Sequence, residues 1–246
     1  MERKNRMAFL RLGQSLTEDR REVYKVAVLG AENVGKTALI VRFLTNKYLS
    51  EYSHCGNATY ERNITIDGRV IAINVFDASG KETFIGLKRH GMLEGIEGYV
   101  VVYSIVDKRS FFKARELLRT IQIIDKRAAI ALIGNKEDLI HLRTVSGNEG
   151  YKEGIKYSRC TFHECSAAKE AENVKIAFQT FFRQVIQSKE DRQQYYSNNN
   201  NNNNNFPQPN LRRNTISNFT LSTWLRRSRF ASTNTKTIKK PRTFTM

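Results

Sequence analysis

Apolar and polar positions divide the chain into two regimes. Between Tyr24 and Ile186 short apolar runs alternate with amphipathic stretches, whereas residues 2–21 and those after Lys189 show no sustained period. Residues 24–30 read as a buried strand, followed by a helix over 35–46. Strands are expected next at 63–66 and 70–77, joined at Asp67-Gly68, a pair that suits a two-residue hairpin turn. Further strands are expected at 99–105, 128–135 and 161–165, with helices near 108–122 and 146–156. The last helix carries the clearest stripe: Val174, Ala177, Phe178, Phe181, Phe182, Val185 and Ile186 recur at steps of three and four. Near-continuous apolar strands alternating with helices predict an α/β fold, a mainly parallel sheet covered on both faces.

The polar regions change the picture of the chain's organisation. Tyr195-Tyr196-Ser197 leads into asparagines at 198–205, and all three prolines, Pro207, Pro209 and Pro241, lie beyond them. Such a tract cannot bury apolar surface and reads as disordered. The expected divisions are a basic extension at 1–20, one folded domain at 21–188 and an Asn-rich, then basic, tail at 189–246.

Of the net charge of +17, the tail supplies +9, from 11 Lys/Arg against 2 Asp/Glu, and residues 1–21 supply +3, from 6 against 3. Basic segments are drawn to polyanions, whether membrane surfaces or nucleic acid; a simple solvated tail is the alternative. Cys55, Cys160 and Cys165 are odd in number and lack metal-ligand spacing, which implies neither a disulfide framework nor a zinc site. No apolar stretch reaches 18 residues, and the N-terminus is charged rather than signal-like, so a cytoplasmic protein is expected.

Chemistry enters with Gly30-Ala31-Glu32-Asn33-Val34-Gly35-Lys36-Thr37, a GxxxxGK[ST] run between a predicted strand and a predicted helix. Its glycines allow a tight turn around phosphate oxygens, and the amides opening the helix, as far as Ala38, attract anions. Lys36 pairs with outer phosphates in such loops, and the Thr37 hydroxyl ligates Mg²⁺. Asn135-Lys136-Glu137-Asp138 closes an apolar run, where open α/β sheets place ligands. An aspartate there accepts from both the ring N–H and the exocyclic amino group of guanine, a donor pair that adenine lacks.

Together these segments resemble the Ras family of small GTPases over about two-thirds of the chain. Residues 48–60 are similar to switch I, Asp77-Ala78-Ser79-Gly80 to the DxxG element, and Glu164-Cys165-Ser166-Ala167 to the family's last guanine loop. The resemblance implies a three-layer P-loop NTPase, or Ras-like G domain, with a six-stranded, mostly parallel sheet and five helices. It implies bound GTP or GDP, Mg²⁺, and effector and regulator proteins. It also implies roles: Asp77 linked to Mg²⁺ through water, the Gly80 amide near the γ-phosphate, Tyr48 beside the base, and Ser166, Ala167 and Ala168 shaping the guanine pocket. Within the family the chain looks like the branch without a lipidation box, the estrogen-regulated growth inhibitor type.

Departures fall on the hydrolytic and switching positions. Lys81 stands where the family has the glutamine that orients water; an ammonium donates hydrogen bonds but accepts none. Glu32 and Asn33 replace loop glycines, and a carboxylate at Glu32 is repelled by phosphate unless it turns outward, Lys81 being a ready partner. Cys55 occupies the place of the Mg²⁺-binding threonine, and thiols are poor ligands for this hard cation. Asn57-Ala58 replaces an acidic pair. Two functions stay open: a signalling GTPase with slow hydrolysis, and a nucleotide-holding scaffold localised by its basic tail.

No cysteine follows Cys165, so no prenyl anchor is expected. Phe219, Leu221, Trp224, Leu225 and Phe230 are interleaved with Arg226, Arg227 and Arg229, a pattern suited to an anionic membrane, such as the inner face of the plasma membrane, or to a calmodulin-like partner. Nucleic-acid binding is the least favoured reading. Arg212-Arg213-Asn214-Thr215 resembles a basophilic kinase site. His54, His90, His141 and His163 share no ligand spacing.

Overall fold

The computed structural model describes residues 22–49, 56–169 and 171–201. The chain divides after Asn198 into two units, the first of which holds the sheet. In order come β1 (Val23–Gly30), α1 (Lys36–Thr45), β2 (Ala58–Ile66), β3 (Arg69–Asp77), α2 (Phe84–Arg89), β4 (Gly98–Ser104), α3 (Lys108–Ile124), β5 (Ala129–Asn135), a 3-10 segment (Glu137–Leu142), α4 (Gly147–Gly154), β6 (Cys160–Glu164) and α5 (Ala171–Asn201). Among the described residues, six strands and five α-helices agree with the expected α/β architecture.

The sheet runs β2-β3-β1-β4-β5-β6, with only β2 antiparallel to its neighbour. Asp67 and Gly68 both take positive φ, 50° and 79°, as a tight hairpin needs, and set Ile66 opposite Arg69. Alternation along β1 assigns the layers: Val26 and Val28 join a core with α1 and α5, while Ala27 and Leu29 join one with α2 and α3. On the first face Phe43 of α1 stacks on Phe178 of α5 with ring centres 4.5 Å apart. Parallel pairing of β1 with β3 and β4, and of β4 with β5, brings their carboxyl ends to one edge, with Val28 opposite Asp77 and Ser104 opposite Asn135. Loops leaving that edge build the site.

Three elements differ from expectation. Strand β2 begins at Ala58 rather than at 63, because it lies at the sheet edge, mostly exposed, and is held by its ladder to β3 rather than by an apolar face. Helix α2 is too short to show a period; Phe84 and Leu87 are its buried residues, and the Thr83 hydroxyl caps it by accepting from the Gly86 amide. Helix α5 runs past the expected boundary at 188 into the asparagines. Polar ties accompany that extension: Lys189 pairs with Glu97 at 2.9 Å and Glu22 at 3.1 Å, Arg159 with Asp191 at 2.9 Å, and Arg127 lies over the Tyr195 ring. An apolar stripe is not needed for these ties, and the helix is continuous to Asn201. The expectations for 1–20, for Cys55 and for 202–246 fall outside the described residues. Among the described residues no helix is long and apolar enough to cross a membrane.

Candidate functional site

A cleft of about 870 Å³ opens at the carboxyl edge of the sheet. The loop after β1 forms its floor. Gly35 takes φ +92°, and a β-carbon there would collide with the Asn135 amide, so the loop can pass under β5 only with glycine at this point. Glu32, Asn33, Gly35, Lys36, Thr37 and Ala38 line the cleft, whereas the expected Gly30, Ala31 and Val34 do not. Lys36 is 8% exposed, and its ammonium donates to the carbonyls of Ala31 at 2.8 Å and Gly30 at 3.3 Å. Burial lowers its pKa, with the Lys113 charge acting the same way and the Asp77 carboxylate opposing. A buried cation held at the mouth of an amide-lined turn is suited to oxyanions.

Beside it the Thr37 hydroxyl donates to Asp77 Oδ2 at 2.5 Å. Asp77 is 5% exposed, and burial raises its pKa against the hydrogen bond from Thr37 and the charge of Lys36. Among the described residues its buried Oδ1 has no hydrogen-bond partner. A hydroxyl and a half-satisfied buried carboxylate form a hard oxygen set, which fits Mg²⁺. Cys55, the third expected metal position, lies outside the described residues.

At the far end Asn135, Lys136 and Asp138 reach the cleft with Ala167 and Ala168. Asn135 is the junction: its Nδ2 donates to the Val34 carbonyl at 2.8 Å, and its Oδ1 accepts from the Ala167 amide at 3.1 Å. Lys136 takes φ +69°, turning the chain out of β5. Ser166 does not line the cleft but positions what does: its hydroxyl donates to Asp138 Oδ1 at 2.5 Å and accepts from the amides of Ala168 and Lys169, each at 3.1 Å. The loop is braced further by the bidentate pair of Arg143 with Glu164, at 2.7 and 3.0 Å. Tyr48, 43% exposed, lies on the rim.

The DxxG segment closes the remaining side. Gly80 approaches the Ala31-Glu32 peptide so closely that any β-carbon would clash with it. Lys81 and Glu32 also line the cleft and pair at 3.8 Å, the carboxylate being turned towards the ammonium. Two side chains hold this segment in roles that the sequence did not indicate. Asn57 Oδ1 accepts from the Ser79 amide at 2.7 Å, and Lys113 Nζ donates to the Gly80 carbonyl at 2.9 Å. Asn57 lies in the stretch similar to switch I, where it reads only as a departure from an acidic pair, and Lys113 reads simply as a polar position on an amphipathic helix. Val41, Leu49, Tyr60 and Leu139 also line the cleft and supply apolar wall.

Comparison with known proteins agrees with this geometry. The Ras family model matches residues 25–187. The human Ras-related and estrogen-regulated growth inhibitor is 39% identical over 65% of this chain and 80% of its own length. The bovine Ras-related and estrogen-regulated growth inhibitor-like protein is 34% identical over 66% and 82%. Mouse GTP-binding protein RAD is 41% identical over 69% of this chain and 55% of its own. With the family model covering well over half its length on a matching fold, the chain belongs to the Ras family of GTP-binding signalling proteins.

Proposed function

We propose that this protein binds GTP and GDP with Mg²⁺ in the cleft and acts as a signalling switch whose intrinsic hydrolysis is slow. The observation that carries the binding reading is the span of one continuous cleft. It runs from the buried Lys36 ammonium and the Thr37–Asp77 pair at one end to the Ser166-braced Asp138 carboxylate at the other. Phosphates belong at the first end and a guanine edge at the second. Asp138 offers a carboxylate to two donors on the base, and Asn135 fixes the distance between the two ends. Thr37 and Asp77 would hold Mg²⁺, which when bound offsets phosphate charge.

Slow turnover follows from the pair at the outer-phosphate end. Lys81 cannot accept a hydrogen bond from an attacking water, and Glu32 places a carboxylate where developing negative charge needs donors. The same pair supports a second reading, a scaffold that holds nucleotide without turnover. Single-turnover hydrolysis of bound GTP with Mg²⁺ separates them, using wild type, Lys81→Gln and a Lys36→Ala control. Measurable hydrolysis by wild type but not by the control upholds the switch. Intact GTP on wild type with hydrolysis by Lys81→Gln establishes the scaffold, and failure of wild type to retain either nucleotide refutes both. For the base, competition by ATP should be negligible in wild type and rise in Asp138→Ala.

We further place the protein in the cytoplasm, with its basic tail meeting an anionic membrane, a reading supported by the +9 charge after residue 188. Binding of the full chain to phosphatidylserine vesicles, lost on deleting 202–246 and weakened by salt, is the expected result; equal binding to neutral vesicles refutes it.

A further inference from the structure

Three independent ties converge on the DxxG segment after β3. The Ala78 amide donates to the Val28 carbonyl of β1 at 3.1 Å, continuing the sheet. The Ser79 amide donates to Asn57 Oδ1, and Asn57 Nδ2 donates onward to Glu82 Oε1 at 2.7 Å. The Gly80 carbonyl accepts from Lys113 Nζ, reaching across from the first turns of α3. Between the last two ties Gly80 is pressed on the Ala31-Glu32 peptide of the phosphate loop.

The last tie differs in kind from the others. The first is backbone, and the second comes from the short amide side chain of Asn57, which immediately precedes β2. Lys113 alone brings a charge, and that charge is felt at Lys36. A charge-assisted hydrogen bond to a carbonyl is about twice as strong as a neutral one. It also fixes the orientation of the Gly80-Lys81 peptide, and so the direction in which Lys81 leaves the loop.

We infer that Lys113 is a positioning residue for the terminal phosphate: by gripping the Gly80 carbonyl it holds the DxxG wall against the phosphate loop, so that the site favours a nucleoside triphosphate over a diphosphate. This rests on the nucleotide-binding reading and deepens it. A diphosphate engages Lys36, Thr37 and the loop amides but does not extend to the wall that Gly80 forms. A triphosphate does, and a wall already in place spares the ordering cost of assembling it on binding. Without Lys113 the wall must be ordered by the ligand, at the expense of triphosphate affinity alone.

The test is equilibrium binding of GDP and of a non-hydrolysable GTP analogue to the full chain with Mg²⁺, for wild type, Lys113→Met and Lys113→Arg. Lys113→Met is expected to weaken the triphosphate analogue about tenfold while GDP changes less than about twofold. Lys113→Arg, which can still donate to the carbonyl, should stay near wild type. The GDP value doubles as the control for folding. Repeating the series at about 0.5 M salt separates a local grip, whose selectivity persists, from a distant charge, whose effect is screened. Equal weakening of both nucleotides, no change in either, an arginine variant that behaves like methionine, or selectivity that vanishes in salt would each overturn the inference. Wild type that binds GDP but shows the loss in no variant fails this inference only; wild type that binds neither nucleotide fails the binding reading with it.

Discussion

Thr37 and Asp77 are 40 residues apart in sequence, yet the hydroxyl of one donates to the carboxylate of the other at 2.5 Å, linking the first turn of α1 to the end of β3. The contact arises because β1 and β3 are parallel neighbours, so the loop leaving one and the last residue of the other share an edge. Removing the hydroxyl should therefore disturb metal-dependent binding more than the fold. Thr37→Ala is expected to reduce the Mg²⁺ effect on GDP retention by about tenfold to a hundredfold, and Thr37→Ser to preserve it. Release rates with Mg²⁺ and with EDTA measure this; an alanine variant with an unchanged ratio would place the ion elsewhere.

The pair of Lys81 with Glu32 should matter to chemistry and hardly at all to stability. Both side chains are well exposed, 78% and 47%, and such pairs contribute about 0 to 1 kcal/mol. Lys81→Gln and Glu32→Gln are expected to melt within roughly 2 to 4 °C of wild type, while Lys81→Gln accelerates single-turnover hydrolysis. A large drop in melting temperature would mean that the pair holds the loop rather than perturbs the reaction.

Much of this site is legible in sequence, because its parts are motifs whose chemistry fixes residue type and spacing. Lys36, Thr37, Asp77, Asn135 and Asp138 each serve a role that few other side chains fill. The roles of Lys113 and Asn57 escaped because their partners are backbone groups: any residue has a carbonyl or an amide, so the target leaves no trace in sequence. Ser166 was readable as a member of the pocket but not as the hydroxyl behind Asp138, since a loop motif does not say which way its side chains turn. In the fold, the start of β2, before Asn63, and the end of α5 went unread for a related reason. Both are held by hydrogen bonds and ion pairs rather than by an apolar face, and periodicity reports only the latter.

Asn135 makes a stability prediction of the opposite kind. It is 2% exposed and satisfies a carbonyl and an amide on two different loops. Asn135→Ala leaves both without their partner, at a cost of about 1 to 3 kcal/mol for each buried group. Thermal unfolding of the nucleotide-free core should shift down by roughly 5 °C or more, and nucleotide affinity should fall with it. Asn135→Asp, which keeps the acceptor for Ala167 but puts a carboxylate against the Val34 carbonyl, is expected to be no better. A variant that melts like wild type would show that water replaces both contacts.

Cys160 and Cys165 yield a prediction in pH. Burial pushes both thiols up to about 12, from an ordinary value of 9.0. At pH 8 both are therefore far less ionised than a free thiol, and the thiolate is the species that reacts. Alkylation of native protein at pH 8, read peptide by peptide, should leave both residues unmodified under conditions that label the unfolded chain fully. The sign for stability follows from the same shift. The folded state keeps its thiol protons longer than the unfolded state, so this contribution is intact below pH 9 and declines as pH rises towards 12. Nucleotide removal provides the discriminating step. Cys165 adjoins Ser166, and its backbone joins Gly134 and Glu137 in the base loop, whereas Cys160 lies at the start of β6 on the far side of the strand from that loop. Stripping nucleotide with EDTA should therefore speed labelling of Cys165 more than of Cys160. Equal acceleration of the two would indicate global loosening of the domain rather than release of the loop.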